Sequence, residues 1–326
     1  MKVLVTGGAG YIGSHAVRQL QREGYETVVF DNLVKGHKEA VRGAELVVGD
    51  LLDKTSLEKL FRSHKIDAVM HFAAFSLVGE SMRSPHAYYE NNVAGTMNLL
   101  KAMMDAGVDK IIFSSTAAVY GEPDKVPITE NAEKKPLSIY GKTKLIIENM
   151  LDDFSGVYGI RYKSLRYFNA AGADAEGDIG EDHNPETHLI PIIFQHVNGR
   201  RDRLQVYGID YPTPDGTCVR DYIHVTDLAE AHVLALKDLE RGGQSCAYNL
   251  GSEHGYSVLQ IIKAAEKAAG KPIQFVAAGR RPGDPAILIA SSEKIRRELG
   301  WIPEYGIDDI LSSAWKFHQA YPDGYK

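Results

Sequence analysis

The sequence predicts an α/β fold, a doubly wound parallel sheet with a smaller, loop-rich α/β substrate lobe, and three observations predict it. β-Branched runs alternate with amphipathic stretches over the first part of the chain. A glycine-rich turn joins the first run to the first amphipathic stretch. Beyond about residue 170 the texture changes to loops crowded with Gly and Asp.

Taken in order, strands are predicted over residues 2–5, 26–30, 45–48, 68–71 and 110–113, and helices over 11–23, 56–64 and 88–106. Such βαβ alternation places helices on both faces of a parallel sheet. Gly and Asp at 172–182 and 207–216 predict loops, while later apolar segments predict helices at 223–239 and 258–269 and one more strand at 247–250. The domains expected are a cofactor-binding domain at residues 1–170, joined again by a segment at about 220–250, and a mainly substrate-binding domain at 171–326.

A chain of 326 residues exceeds one comfortable core, so two lobes with a cleft between them are expected. Hydrophobic residues at 44% and charged residues at 25% match ordinary globular proteins, and no repeat overrides that reading. A net charge of -6, without a Lys/Arg stripe, argues against nucleic acid as a partner. Met1-Lys2 lead straight into Val3-Leu4-Val5, too short for a signal-peptide core, and no long apolar run follows, so neither export nor a membrane span is expected. Cys218 and Cys246 lack the paired spacing of a disulfide framework or zinc site, which fits a reducing cytoplasm, and no metal is expected.

The first predicted strand ends in Thr6-Gly7-Gly8-Ala9-Gly10-Tyr11-Ile12-Gly13-Ser14, directly before a helical pattern. Glycines here let the backbone turn tightly and let a pyrophosphate approach the unpaired N–H groups of the helix start. Asp31 ends the second strand, where a carboxylate bonds both hydroxyls of an adenine ribose and repels a 2'-phosphate, so NAD is expected rather than NADP. Asp50, after the third strand, is expected to accept the adenine amino group, although an ordinary turn or helix cap explains it nearly as well.

Tyr140-Gly141-Lys142-Thr143-Lys144 opens another helical stretch, which sets Tyr140 and Lys144 on one side, about 5–6 Å apart. A tyrosine acting as base near neutrality needs about 3 units of pKa depression, roughly 4 kcal/mol of stabilised phenolate, which Lys144 and a nicotinamide cation could supply together. Exposed Tyr and Lys at this spacing are as a rule a solvated face. Phe113-Ser114-Ser115-Thr116, ending the fifth strand, brings hydroxyls to the sheet edge where Thr116 can share a proton with Tyr140.

These features resemble the extended short-chain dehydrogenase/reductase family, whose nucleotide-binding half is a Rossmann-type fold. The runs His71-Phe72-Ala73-Ala74, Val78-Gly79-Glu80-Ser81, Asn91-Asn92-Val93, Arg166-Tyr167-Phe168-Asn169 and Gly216-Thr217-Cys218-Val219-Arg220-Asp221-Tyr222-Ile223-His224-Val225 carry the likeness along the whole chain, toward the branch that inverts C4 of UDP-sugars. The resemblance implies an NAD-dependent isomerase of galactose metabolism that interconverts UDP-galactose and UDP-glucose, cytoplasmic and homodimeric. It would pair the helices near residues 88–106 and 140–154 across the dimer. Catalysis would rest on Tyr140, Lys144 and Thr116. NAD contacts would be Gly7, Gly10, Tyr11, Ile12, Gly13, Asp31, Asn32, Asp50, Leu51, Phe72, Ala73, Asn91, Lys144 and Phe168. UDP-sugar contacts would be Thr116, Tyr140, Asn169, His188, Leu189, Gln205, Val206, Tyr207, Arg220, Arg281 and Asp284, with 171–326 mainly the UDP-sugar-binding domain.

The residues agree chemically, since Arg220 and Arg281 can clamp a diphosphate bidentately, although surface arginines are commonly only solvated. Thr116 stands where many relatives have Ser, His188 where many have Asn, and Ser76 where some have a Lys touching the cofactor. By the resemblance, Leu288 falls at a specificity gate where in relatives a bulky Tyr restricts and a small Cys admits N-acetylated sugars, which leaves UDP-GlcNAc and UDP-GalNAc open. Ala117-Ala118 follow Thr116, where 4,6-dehydratases and decarboxylating relatives need acid or base groups. A non-catalytic NAD-sensing regulator could have lost the Tyr/Lys pair, which is present here.

Overall fold

A computed structural model describes residues 1–281 and 284–325. The elements run Lys2–Thr6 (β1), Tyr11–Arg22 (α1), Glu26–Asp31 (β2), Glu45–Val48 (β3), Lys54–Ser63 (α2), Ala68–His71 (β4), Val78–Ser81 (α3), Pro85–Tyr88 (α4), a wide π turn at Tyr89–Ala94, Gly95–Ala106 (α5), Lys110–Thr116 (β5) and Ile139–Tyr158 (α6). They continue with Arg161–Tyr167 (β6), Asn169–Ala171 (β7), Leu189–Val197 (α7), Gln205–Tyr207 (β8), Val219–His224 (β9), Val225–Glu240 (α8), Cys246–Leu250 (β10), Gly255–Ser257 (β11), Val258–Ala269 (α9), Val276–Ala278 (β12), Ile287–Leu288 (β13), Glu293–Leu299 (α10) and Ile307–Ala320 (α11).

Seven strands form one wholly parallel sheet in the order β10-β6-β5-β4-β1-β2-β3. Successive side chains of β1 enter opposite layers. Val3 and Val5 pack with Leu20 of α1 and Leu236 of α8, while Leu4 packs with Leu57 of α2, Leu99 of α5 and Leu151 of α6. The strand order reverses on either side of β1, which opens a crevice at the carboxyl ends, the place where ligands bind in open α/β sheets. Thr6, Asp31, His71 and Thr116 end their strands there.

A second layer system has its own core of Ile190, Phe194, Leu204, Val206, Ile261 and Leu311. Its sheet centres on β9, with β7 and β13 parallel and β11 antiparallel, and β8 pairs with β12. Helix α8 and strand β10 lie with the large sheet, α8 against α1 and β10 beside β6.

Three expectations need correction. The helix expected at 223–239 starts at Val225, because Ile223 and His224 belong to β9 and the His224 ring caps α8 by accepting the Thr226 N–H at 3.0 Å. The helix expected at 88–106 is interrupted by the π turn. Strands β6 and β9 were not foreseen at all. Among the described residues no helix is long and apolar enough to cross a membrane.

Candidate active site

The glycine turn is shaped by contact as well as by backbone angle. Gly7 has φ 72°, and a Cβ on it would meet Ala73 N at 2.5 Å; a Cβ on Gly13 would lie 2.2 Å from the Gly7 carbonyl oxygen. Glycine is therefore required at both places. Gly10 caps α1 without a side chain, so the first N–H groups of the helix point into the cleft with no intrahelical acceptor, a cradle suited to a pyrophosphate. At the next strand end, the Asp31 carboxylate accepts from Ala9 N at 3.0 Å and Leu33 N at 2.8 Å, which fixes its orientation across the turn. Burial raises its pKa, against those two hydrogen bonds. Asp50 accepts from Asn32 Nδ2 and Leu52 N, both at 2.8 Å, so turn and cleft roles coexist in one side chain.

Helix α6 begins at a Ser138 cap whose hydroxyl accepts Gly141 N at 3.0 Å, a bond worth about 1 kcal/mol. That start places Tyr140 and Lys144 on the cleft side of its first turns, with Lys144 Nζ 5.9 Å from the Tyr140 ring centroid. The Lys144 ammonium donates to the Ser114 carbonyl at 2.6 Å and sits 4.8 Å from the Phe113 ring centre. Burial lowers Lys144 to about 7, opposed by Glu148, and burial raises Tyr140 to about 12, opposed by its hydrogen bond with Thr116. Burial thus holds the phenol up at about 12, and the depression anticipated above is not supplied by its surroundings in the protein.

Sequence reasoning missed the framework under this pair. Gly141 is one part: a Cβ there would meet the Ala118 carbonyl oxygen at 2.5 Å, so the helix could not approach the Ala117–Val119 turn. Glu148, one turn beyond Lys144, accepts two bonds from Arg166 of β6 at 2.9 and 2.7 Å and one from Ser115 of β5 at 2.6 Å. Asn92, inside the π turn, accepts Phe75 N at 2.8 Å and donates to Phe75 O at 3.0 Å and Thr143 Oγ1 at 3.2 Å, tying the loop after β4 to α6. Glu148 is a polar residue in an apolar-looking helix, a weak signal, and Asn92 lies in the quoted run Asn91-Asn92-Val93, whose structural role only the fold resolves.

One cleft of about 700 Å³ gathers these groups with residues of the second lobe. Gly7, Gly10, Tyr11, Ile12, Gly13, Asp31, Asn32, Asp50, Leu51, Phe72, Ala73, Asn91 and Phe168 line one side, with Ser76, Thr116, Tyr140 and Lys144 along it and Asn169, His188, Leu189, Gln205, Tyr207, Arg220, Arg281 and Asp284 facing them. Arg220 is ion-paired to Asp284 and donates to the Val219 carbonyl, and the Arg281 guanidinium lies 4.2 Å from the Tyr207 ring centre. Tyr11 bridges the two sides, its hydroxyl donating to Gly172 O at 2.7 Å.

Two expected site residues lie elsewhere. Val206 is the middle residue of β8, so the alternation of a strand turns it away from its neighbours Gln205 and Tyr207 and into the second core. Leu288 is half-buried in the cluster of Val119, Tyr120 and Ile128, to which the cleft residue Phe168 also belongs, and it does not line the cleft.

A doubly wound sheet with a glycine-cradled helix start, a carboxylate ending β2 and a Tyr/Lys pair beside strand-end hydroxyls defines a nicotinamide-dependent enzyme of the short-chain type. The NAD dependent epimerase/dehydratase family matches residues 3–251, and the chain belongs to it. The UDP-glucose 4-epimerase of Lacticaseibacillus casei is 52% identical over 100% of this chain and 99% of its own. Among solved structures, UDP-glucose 4-epimerase from Brucella ovis in complex with NAD superposes with a TM-score of 0.94 at 48% identity, covering 96% of this chain and 97% of that one. The Bifidobacterium longum enzyme in complex with NAD+ and UDP gives a TM-score of 0.94 at 41% identity, with 100% of both chains covered.

Proposed function

We propose that the chain interconverts UDP-galactose and UDP-glucose by inverting C4 of the sugar through a 4-keto intermediate, with NAD held tightly and restored in each turnover. The observation that carries this reading is the cleft itself, with Tyr140, Thr116 and Lys144 at one part of its wall, Arg220 and Arg281 at another, and only Ala117-Ala118 after the threonine. A dehydratase or decarboxylase needs an additional proton donor or carboxylate there; inversion does not.

Bound NAD supplies the acceptor and later the donor of the C4 hydride. Tyr140 takes the proton of the sugar 4-OH, directly or through Thr116, and gives it back to the 4-keto oxygen once the sugar has turned to receive the hydride on the opposite face of C4. Lys144, anchored on the Ser114 carbonyl, is positioned beside the phenol and the cofactor. Residues Gly7, Gly10, Tyr11, Ile12, Gly13, Asp31, Asn32, Asp50, Leu51, Phe72, Ala73, Asn91, Lys144 and Phe168 hold the cofactor. Arg220 and Arg281 grip the diphosphate with Asn169, His188, Leu189, Gln205 and Tyr207, while Asp284 orients Arg220, so the nucleotide stays fixed as the sugar turns. Residues 1–170 with the returning segment at about 220–250 form the NAD-binding domain, and the remainder of 171–325 forms mainly the UDP-sugar-binding domain.

The protein acts as a homodimer in a reducing cytoplasm. Exposed Tyr89, Met97 and Met104, together with Val157 and Tyr158 at the end of α6, give the helices named for pairing an apolar surface. Cys218 and Cys246 are free thiols. Purified protein given UDP-galactose without added cofactor should form UDP-glucose; no product from a preparation that retains NAD would overturn the reading. Light scattering of the same preparation checks the dimer.

A further inference from the structure

Between β7 and α7 the chain places Glu181, His183, Glu186 and His188 together, with their candidate ligand atoms all within 4.8 Å of one another. His188 Nδ1 lies 2.9 Å from Glu181 Oε1 and 3.0 Å from Glu186 Oε1; His183 Nδ1 lies 3.3 Å from Glu181 Oε1 and 3.6 Å from Glu186 Oε2. Four donors at 2.0–2.2 Å from a tetrahedral ion stand about 3.3–3.6 Å apart, a spacing the two His183 contacts already have, while the two His188 contacts stand at hydrogen-bond distance and must open to admit an ion. The carboxylates are deep, with side-chain exposures of 6% for Glu181 and 1% for Glu186.

A second, independent observation points the same way. Glu186 Oε2 is a buried carboxylate oxygen without a hydrogen-bond partner, and the His183 Nδ1 it faces at ion-pair distance, 3.6 Å, is a buried ring nitrogen without one. Its other oxygen is oriented by Thr187 N at 2.7 Å and His188 N at 2.8 Å, the kind of outer bonding that holds a ligating carboxylate in place. Burying two anions costs several kcal/mol each unless cations compensate. Among the described residues His183 and His188 alone pair with these carboxylates; no lysine or arginine does, and Arg201 donates to the Glu186 backbone carbonyl.

We propose that Glu181, His183, Glu186 and His188 bind one divalent transition-metal ion, zinc by preference, through His Nδ1 and carboxylate oxygens. Mixed imidazole and carboxylate donors in a tetrahedral arrangement suit zinc better than the all-oxygen, six-coordinate habit of magnesium or calcium. The ion ties residues 181–188 into a rigid clip on the cleft wall beside Tyr11, whose ring centre is 6.3 Å from that of His183. With Nδ1 committed to the ion, the remaining proton of His188 sits on Nε2, on a half-exposed ring that lines the cleft. That last consequence rests on the diphosphate reading; the metal site does not.

The test uses the full chain, stripped with a chelator and titrated with zinc and, separately, with cobalt. One ion of either kind per chain is expected, with micromolar or tighter affinity and the visible bands of tetrahedral cobalt. Glu186→Gln and His183→Gln should each weaken zinc binding at least tenfold. No stoichiometric uptake at micromolar zinc, or uptake unchanged in both variants, would overturn the proposal. If the variants fail to fold, nitrogen NMR of the unaltered protein decides: metal-shifted Nδ1 signals for His183 and His188 support the site, and two doubly protonated rings in the presence of zinc sink it. Metal content is independent of epimerase turnover, so the two readings fail separately.

Discussion

The two sides of the cleft are built by different means. The large-sheet side works through backbone: a glycine turn that no side chain can enter, helix N–H groups without acceptors, and the short carboxylate of Asp31 locked by two main-chain bonds. The second lobe works through long side chains on loops and short strands, Arg220 on β9, Arg281 beyond β12 and His188 before α7. A rigid cradle suits a cofactor that stays. Side-chain grips, each with a protein partner to return to, suit a substrate that must be released.

The comparison breaks most visibly at the chemistry they share. Tyr140→Phe should lower kcat by about 10³-fold while the purified protein keeps its NAD. Near-normal kcat would remove Tyr140 from proton transfer, and loss of NAD would put it in the cradle instead.

Gly13→Ala tests the backbone side alone. The added Cβ falls 2.2 Å from the Gly7 carbonyl oxygen, so the turn must open, and bound NAD should drop at least tenfold in the purified protein, as read by its absorbance after denaturation. Arg220→Met tests the other side. Removing one charged hydrogen-bond donor from the diphosphate costs about 1.5–3 kcal/mol, roughly a 10- to 150-fold rise in KM, with NAD content unchanged. Equal loss of NAD in both variants would erase the distinction.

The same contrast explains what the sequence could reveal. Strands β1, β2, β4 and β5 and the glycine turn were legible because buried parallel strands are apolar and a phosphate cradle is spelled by glycines at fixed spacing, while β3, an exposed edge strand, was legible from its short β-branched run. Strand β6 was hidden by Arg161, Lys163 and Arg166. Their charges read as surface until the fold supplies Asp238, 2.7 Å from Lys163, and Glu148 for Arg166. Strand β9 was hidden likewise, since Arg220, Asp221 and His224 interrupt its apolar run. Asp221 is fully buried and collects the N–H groups of Ser252 at 2.7 Å, Glu253 at 3.1 Å and Ala290 at 3.1 Å. Polar partners distant in sequence are the information a single chain does not display, and this is also why Glu148 escaped notice and Asn92, though part of a quoted run, received no role.

A subtler effect concerns stability. Lys144 has a folded value of about 7, below its ordinary 10.5, so between those limits the unfolded chain binds the proton more readily. The stability this lysine contributes is present above pH 10.5 and lost as pH falls toward 7. Lys144→Met should therefore be most advantaged in melting temperature, relative to the parent, near pH 7, and that advantage should shrink as pH rises to 10. A difference independent of pH would mean that Lys144 is not desolvated as its surroundings imply.

The smallest effect is expected at Leu288. Had it lined the cleft, a change in its size would set directly whether an N-acetyl group fits. It packs instead with Val119, Tyr120 and Ile128, and reaches the sugar only through the cluster that includes Phe168. Leu288→Cys removes apolar volume there, and a hydrophobic pocket discriminates by about 10- to 200-fold for a methylene at direct contact. One layer back, the change in the ratio of UDP-GlcNAc to UDP-glucose turnover should be only a few-fold, with KM for UDP-glucose hardly moved. A change of two orders of magnitude would mean that this part of the wall moves when the sugar binds, and that the substrate side of the cleft is the compliant one.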